Sequence, residues 1–304
     1  MGLVIILLKQ IAVMAMLVTV GIFLRRKSYL TLQGTKDLGN LLLRVIIPCV
    51  ILKSYLIEYT PERLAALGVS TLLALIGFLL AMALSYILYG KQRRIENFSA
   101  AFCNAGFIGI PLAQAVIGDE GVFYVASTVA LLNLFQWTYG VYIMTDRQEA
   151  ISGKAIAKNP VLIALVCGIV LFVLQIPIPE ILVNTLGYIA NMNTPVAMIL
   201  MGTYLANLTP KRMLDRRAVS CVLMRLVAIP TAILLVFWLL PIRDDVGMVL
   251  AVYLAAITPV GANICVFAQQ YDCDYEFSVI TVCLSTVLSV VTIPTLVYLA
   301  QIFL

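Results

Sequence analysis

Apolar residues fall into ten long stretches, at about 2–24, 36–57, 62–90, 97–117, 121–144, 160–177, 180–207, 217–240, 246–270 and 276–303, each bounded by charges or turn residues. A transmembrane helix needs ~20 predominantly apolar residues, so each stretch predicts one span. The first carries Lys9, lacks an A-x-A site and ends in Arg25-Arg26-Lys27, which predicts a permanent span and not a cleaved signal peptide. The start also lacks the Ser/Thr of a myristoylation signal.

Composition turns that pattern into an exclusion. The AVILMFWYC set makes up 62% of the 304 residues and charged residues 12%, against roughly 45–50% and ~25% in soluble domains. Lipid must be the solvent. Ten spans with their loops use nearly the whole chain, leaving no room for a soluble catalytic domain, a nucleotide-binding cassette or a nucleic-acid module. There is no histidine, which removes Ser-His catalysis, histidine metal sites and the usual near-neutral proton switch. All fifteen carboxylates fall in loops or near span ends, so no acid, base or metal cluster supports an intramembrane enzyme, and no cofactor is implied. The seven cysteines show no C-x-x-C spacing and read as small hydrophobes in helix packing.

Charge distribution sets an expected orientation. Loops one, three, five and seven hold Arg25, Arg26, Lys27 and Lys36; Lys91, Arg93 and Arg94; Arg147, Lys154 and Lys158; and Lys211, Arg212, Arg216 and Arg217. The even loops hold only Arg63 and Arg243. The positive-inside rule makes the odd loops cytoplasmic and puts both termini outside. The ninth loop, with Asp272, Asp274 and Glu276, disagrees mildly, but acidic residues weigh little in that rule.

The longest hydrophilic stretch, 145–159, lies at the midpoint and separates a first half (1–144) from a second (160–304), five spans each. An odd number of spans per half predicts a repeat inverted across the membrane. Weak echoes support it: Pro48 through Leu56 resembles Pro195 through Leu205, and Asn104-Ala-Gly106 aligns with Pro259-Val-Gly261. Segments four and nine occupy equivalent places, and both carry helix breakers: Asn104, Gly106, Gly109 and Pro111 in one, Thr258, Pro259, Gly261 and Asn263 in the other. Proline removes a helical hydrogen bond and clashes with the preceding turn, and unwound backbone is tolerated only where protein or a water-filled cavity surrounds it. Paired interruptions point to a midplane transport site, and Pro111 is expected to open a second half-helix.

The stretches Asn-Ala-Gly-Phe-Ile-Gly-Ile-Pro-Leu at 104–112 and Thr-Pro-Val-Gly-Ala-Asn at 258–263 resemble the crossover signatures of the auxin efflux carrier family, within the bile acid/arsenite/riboflavin transporter superfamily. The resemblance extends over the Pro-Val-Ala-Met-Ile-Leu-Met-Gly run at 195–202, Arg225 with Pro230, and Phe267-Ala-Gln-Gln-Tyr271. It implies an all-α, ten-span 5+5 inverted repeat in which segments four and nine unwind and cross. It further implies a dimerising scaffold of spans 1, 2, 6 and 7, a mobile transport domain of spans 3–5 and 8–10, and small organic anions, mainly carboxylates, as cargo. The short central loop is that of prokaryotic relatives.

Two half-helices directing their positive N-terminal ends to one point suit a carboxylate. Asn104 and Asn263 are the leading side-chain ligands, with Gln114, Asn133 and Gln136 behind them. Arg225 and Arg44, inside spans toward the cytoplasm, read either as an anion-drawing vestibule or as snorkelling residues. Trp137, Tyr139 and Tyr142 read as an interfacial belt. Sodium coupling would use free carbonyls with Thr258, Thr281, Ser285 and Thr286 as helpers, against the alternative that these hydroxyls bond their own helices. A ligand sensor that keeps the carrier fold without moving cargo is the other alternative.

Overall fold

The computed structural model describes residues 2–145, 153–206, 215–240 and 245–303, and among them every regular element is helical apart from one isolated bridge. Arg147, Lys211, Arg212 and Arg243, used in the charge argument, lie outside the described residues. In chain order the helices are α1 (Gly2–Arg26), α2 (32–54), α3 (Pro61–Tyr89), the two halves α4a (Arg94–Ala101) and α4b (Ala105–Ile117), then α5 (119–144), α6 (Pro160–Leu174), α7 (180–205) and α8 (Arg216–Leu239). The halves α9a (Val246–Ala256) and α9b (Asn263–Gln270) and a final α10 (Tyr275–Phe303) follow, and a short turn of helix, Gly153–Ala157, precedes α6. Four of these, α1, α3, α8 and α10, are long and apolar enough to cross a membrane, and α4b, α6 and α9a are shorter apolar helices. Ile5, Met16 and Phe23 of α1, Val166 of α6 and Val291 of α10 face outward. The chain is an all-helical membrane protein.

Helix starts follow local chemistry. Thr60 accepts from Arg63 N ahead of Pro61, Asn159 accepts from Val161 N ahead of Pro160, and Asp245 accepts from Met248 N, so each side chain satisfies a first-turn donor that has no partner within its helix. Three interior prolines share a different arrangement, whereas Pro294 lies within α10 without it. The π-turns Leu42–Ile46, Ala105–Gly109 and Met224–Ala228 end just ahead of Pro48, Pro111 and Pro230. The widened turn gives room to the carbonyl that a proline ring would otherwise strike. This corrects the expectation for Pro111: the second half-helix begins at Ala105, and the proline is absorbed into its second turn.

Among the more extensive helix contacts, one set joins α1, α2, α6 and α7 and another joins α3, α4a, α5, α8, α9a and α10, with further contacts between the sets, such as α5 on α6 and on α2, and α1 on α4b. Helix α1 lies chiefly on the C-terminal stretch of α7, and α2 lies on α6 and the N-terminal stretch of α7. Helix α3 packs on α4a and α5, α9a on α5 and α3, and α8 on α10 and α4a. Within the first set, α1 and α7 approach backbone to backbone: a Cβ at Gly21 would overlap the Ile199 carbonyl, and one at Gly202 the Val18 carbonyl. Small residues permit such contacts in membranes, where dispersion and close approach replace the hydrophobic effect between helices.

Candidate functional site

Helix α4 breaks at 102–104 and α9 at 257–262, and the two breaks lie against each other. Cys103 and Val260 form an antiparallel bridge, and Gly261 N donates to Phe102 O at 3.0 Å. Each unwound strand thus supplies backbone partners to the other, which answers the requirement that buried amides be satisfied. Pro259 sits in the second break. Gly261 has to be glycine, since a Cβ would stand 2.7 Å from Cys103 O. Gly109 permits a similar close approach nearby, with a hypothetical Cβ 3.1 Å from Ala255 Cα of α9a.

Both second halves start at this junction. Asn104 is the N-cap of α4b with no side-chain cap bond, and Ala262 precedes α9b, also without one. Around these two N-termini sits a cluster of amides. Asn263 Nδ2 donates to Gln136 Oε1 at 2.9 Å, and Gln136 comes from the π-turn Gln136–Gly140 of α5. Two further amide nitrogens, Asn104 Nδ2 and Gln136 Nε2, are buried with no hydrogen-bond partner among the described residues, at 4% and 1% residue exposure. Unsatisfied buried donors are rare and call for an explanation. Asn193 of α7 donates to Gly106 O at 3.3 Å, and its own Oδ1 is also unpartnered.

Three cavities border this region; one, about 180 Å³, is lined by Lys36, Phe107, Ala262 and Asn263 among others, and Asn133 and Gln114 line the other two. The larger, about 550 Å³, is lined by Asn263, Asn133, Trp137, Asn159, Arg44 and Lys158 among others, with no carboxylate in its described wall. Asn133 is tied to Val129 O at 2.9 Å and to Asn159 Nδ2 at 3.3 Å. Trp137 faces this cavity and packs on Phe267, while Tyr139 donates to Asn97 Oδ1 at 3.0 Å between helices. Neither is free to sit in a headgroup belt. The smaller cavity, about 120 Å³, includes Lys53, Asp119, Asn193 and Gln114. Gln114 Nε2 bonds Asp119 Oδ1 there at 3.3 Å, away from the amide cluster.

Arg225 departs from the vestibule reading. It lines none of these three cavities, and it is 1% exposed. Its guanidinium donates to Ala100 O at 3.2 Å, to Ala101 O at 3.4 Å and to Ala256 O. Those are the terminal carbonyls of α4a and α9a. The four hydroxyls of the sodium reading bond locally: Thr258 to Ala255 O, Thr281 to Ser278 O, and Ser285 and Thr286 both to Val282 O. Ser285 also accepts from Val260 N in the second break, and Thr281 pairs with Ser99 of α4a. Sequence reasoning did not single out Asn193 or Asn159. The signal available for Asn193 was the polar Asn-Thr-Pro interruption at 193–195 in an otherwise apolar span.

A protein from Rhizobium meliloti (strain 1021) named "Putative malonate transporter" is 26% identical over 219 residues, covering 69% of this chain and 68% of that protein. The family model described as membrane transport protein matches residues 6–155 and 150–297, two stretches that meet at the central hydrophilic segment and fit an internal repeat. With nearly its full length matched, the chain belongs to the membrane transport protein family, that of the auxin efflux carriers, and is a transporter.

Proposed function

We propose that this chain is a secondary carrier of a small organic anion, a dicarboxylate of the malonate kind, working by alternating access about the junction of α4 and α9. The observation that carries the reading is the pair of buried amide nitrogens without a partner among the described residues, Asn104 Nδ2 at the start of α4b and Gln136 Nε2 on α5, whose Oε1 is bonded by Asn263 at the start of α9b. Each N-terminus carries about half a positive elementary charge and free N–H groups. A carboxylate at that point would accept from the amides of Asn104, Gln136 and Asn263 without meeting a fixed ion, so it could leave again. Gly106, Gly109, Pro111, Pro259 and Gly261 would shape the cradle. Arg44 and Lys158 on the wall of the larger cavity would draw the anion in by long-range attraction. The malonate name of the relative supports the cargo class.

The reading includes ten spans in an inverted 5+5 arrangement, with α3–α5 and α8–α10 moving as a transport domain against a dimerising scaffold of α1, α2, α6 and α7. The two sets of helix contacts, which also touch each other, support that division. The protein would lie in the cytoplasmic membrane with both termini outside and the 145–159 linker inside.

No Asp, Glu or His belongs to the amide cluster, which favours an electrogenic anion path over proton symport. Each net charge is worth ~2.3 kcal/mol per 100 mV, so an interior-negative potential would expel the cargo. Purified protein in liposomes should exchange labelled malonate, and net flux should follow a potassium–valinomycin potential at constant pH. Flux that ignored the potential and followed a pH gradient would refute the electrogenic mechanism. No exchange of malonate or a homologous dicarboxylate would refute the carrier.

A further inference from the structure

The last four carbonyls of a helix lack intrahelical partners, and its C-terminus carries about half a negative elementary charge. At the junction two such ends meet, those of α4a and α9a, and together they amount to about one negative charge. Free half-helix C-termini and unwound carbonyls of this kind hold the coupling cation in many broken-helix transporters. Here they are occupied. The guanidinium of Arg225 bonds Ala100 O and Ala101 O on one half-helix and Ala256 O on the other.

We infer that Arg225 is a built-in counter-cation, filling the place between the two half-helix C-termini where a transported cation would otherwise bind, so that no cation is exchanged at these carbonyls during the cycle. Its single positive charge matches the sum of the two dipole ends. Its side chain comes from the π-turn Met224–Ala228 of α8, and Tyr253 of α9a donates to Pro230 O beside that turn at 3.3 Å, so α8 and α9a are fastened together. The space around Arg225 is narrow and mostly apolar, bounded by Leu73, Phe78, Ile233 and Val252 with Thr128 beside them, and Arg225 Nε and the Thr128 hydroxyl have no hydrogen-bond partner among the described residues. Arg225 lines neither of the cavities that reach Asn263. It is a positioning residue: it fixes the two half-helices whose partners present the amide cluster, and it touches no cargo.

The test compares R225A, R225M and R225K with the wild type in two ways. Thermal stability is measured in choline, sodium and guanidinium chloride at equal, non-denaturing concentrations. Guanidinium, and more weakly sodium, should raise the melting temperature of R225A saturably and leave the wild type unraised. R225K should be more stable than R225M, although the two are similar in length. The flux arm rests on the carrier reading: wild-type malonate exchange should be equal in sodium and choline. R225A should lose about tenfold or more, as for a charge-assisted hydrogen bond, and regain some of it with guanidinium. A wild-type flux that needs sodium would overturn the inference, as would R225K no better than R225M, or no cation effect on a folded R225A. If the thermal pattern holds while neither wild type nor variant moves malonate, the counter-cation stands and the carrier reading fails.

Discussion

Asn104→Ala separates cargo binding from stability. Asn104 Nδ2 is buried with no hydrogen-bond partner among the described residues, so the truncation breaks no protein bond of that nitrogen and removes a donor whose uncompensated burial costs about 1–3 kcal/mol. The melting temperature without cargo should therefore hold or rise. If the same nitrogen donates to a carboxylate, losing it costs about 1.5–3 kcal/mol, or roughly 10- to 150-fold in Kd at ~1.4 kcal/mol per tenfold. Asn263→Ala is the contrast, because it breaks the 2.9 Å bond to Gln136 Oε1 and should cost about 0.5–1.5 kcal/mol even when empty. Asn104→Asp keeps the shape but sets a carboxylate against the anion, and should bind more weakly than either. A malonate titration read by thermal shift in detergent, with a cargo-free baseline for each variant, measures both quantities. Unchanged malonate affinity in N104A, or a cargo-free loss of stability matching that of N263A, would refute the reasoning.

Three further outcomes are expected. Cys273, between α9b and α10, should be labelled by an impermeant maleimide in inside-out vesicles and spared in intact cells; labelling of intact cells would invert the proposed orientation. Burial pushes its thiol up against the opposing influence of Arg94, so labelling should be slow at neutral pH and accelerate as pH rises toward the raised value and more thiolate forms. Arg44→Gln and Lys158→Gln should raise the KM for malonate by several-fold, with an effect that shrinks as salt screens the vestibule over a Debye length of about 8–10 Å; a kcat loss at constant KM would count against their steering role. Gly202→Leu should separate α1 from α7, since even a Cβ there overlaps the Val18 carbonyl, and should destabilise the protein by several kcal/mol, within the range for overpacking and strain. A folded G202L with wild-type thermal stability would contradict that packing.

The apolar stretches read from the sequence coincide with helices because membrane burial imposes a length requirement that the sequence must display. The breaks were legible for a related reason: Asn104, Gly106, Pro259 and Gly261 are residue types that a continuous span has no use for. Where each half-helix restarts was not legible. A proline announces a disturbed hydrogen bond, but the π-turn that absorbs it at Pro111 depends on neighbours giving it room, as Ala255 does beside Gly109. Arg225 shows the limit most clearly. From sequence it is a costly charge in a span, compatible with a vestibule. Its partners lie 125, 124 and 31 positions away, and no local pattern encodes that meeting. The hydroxyls of Thr258 and Thr286 went the other way, because a carbonyl one turn back is always within reach in a helix.

The junction divides its electrostatics by face. In the proposed reading two helix N-termini on one side meet amides with spare donors, so the attraction offered to a carboxylate would be made only of dipoles. On the other side two C-termini meet a full cation held by three carbonyls. Exchanging these arrangements would defeat a carrier: an arginine on the cargo side would hold the anion too tightly in a low-dielectric site, and unpaired carbonyls on the far side would leave about one negative charge uncompensated and close to the anion. On the proposed reading Arg225 would serve cargo binding without contact, by cancelling the field that would oppose it. On this argument N104A and R225A should differ in kind. The first should weaken malonate binding at unchanged stability, and the second should lower both together.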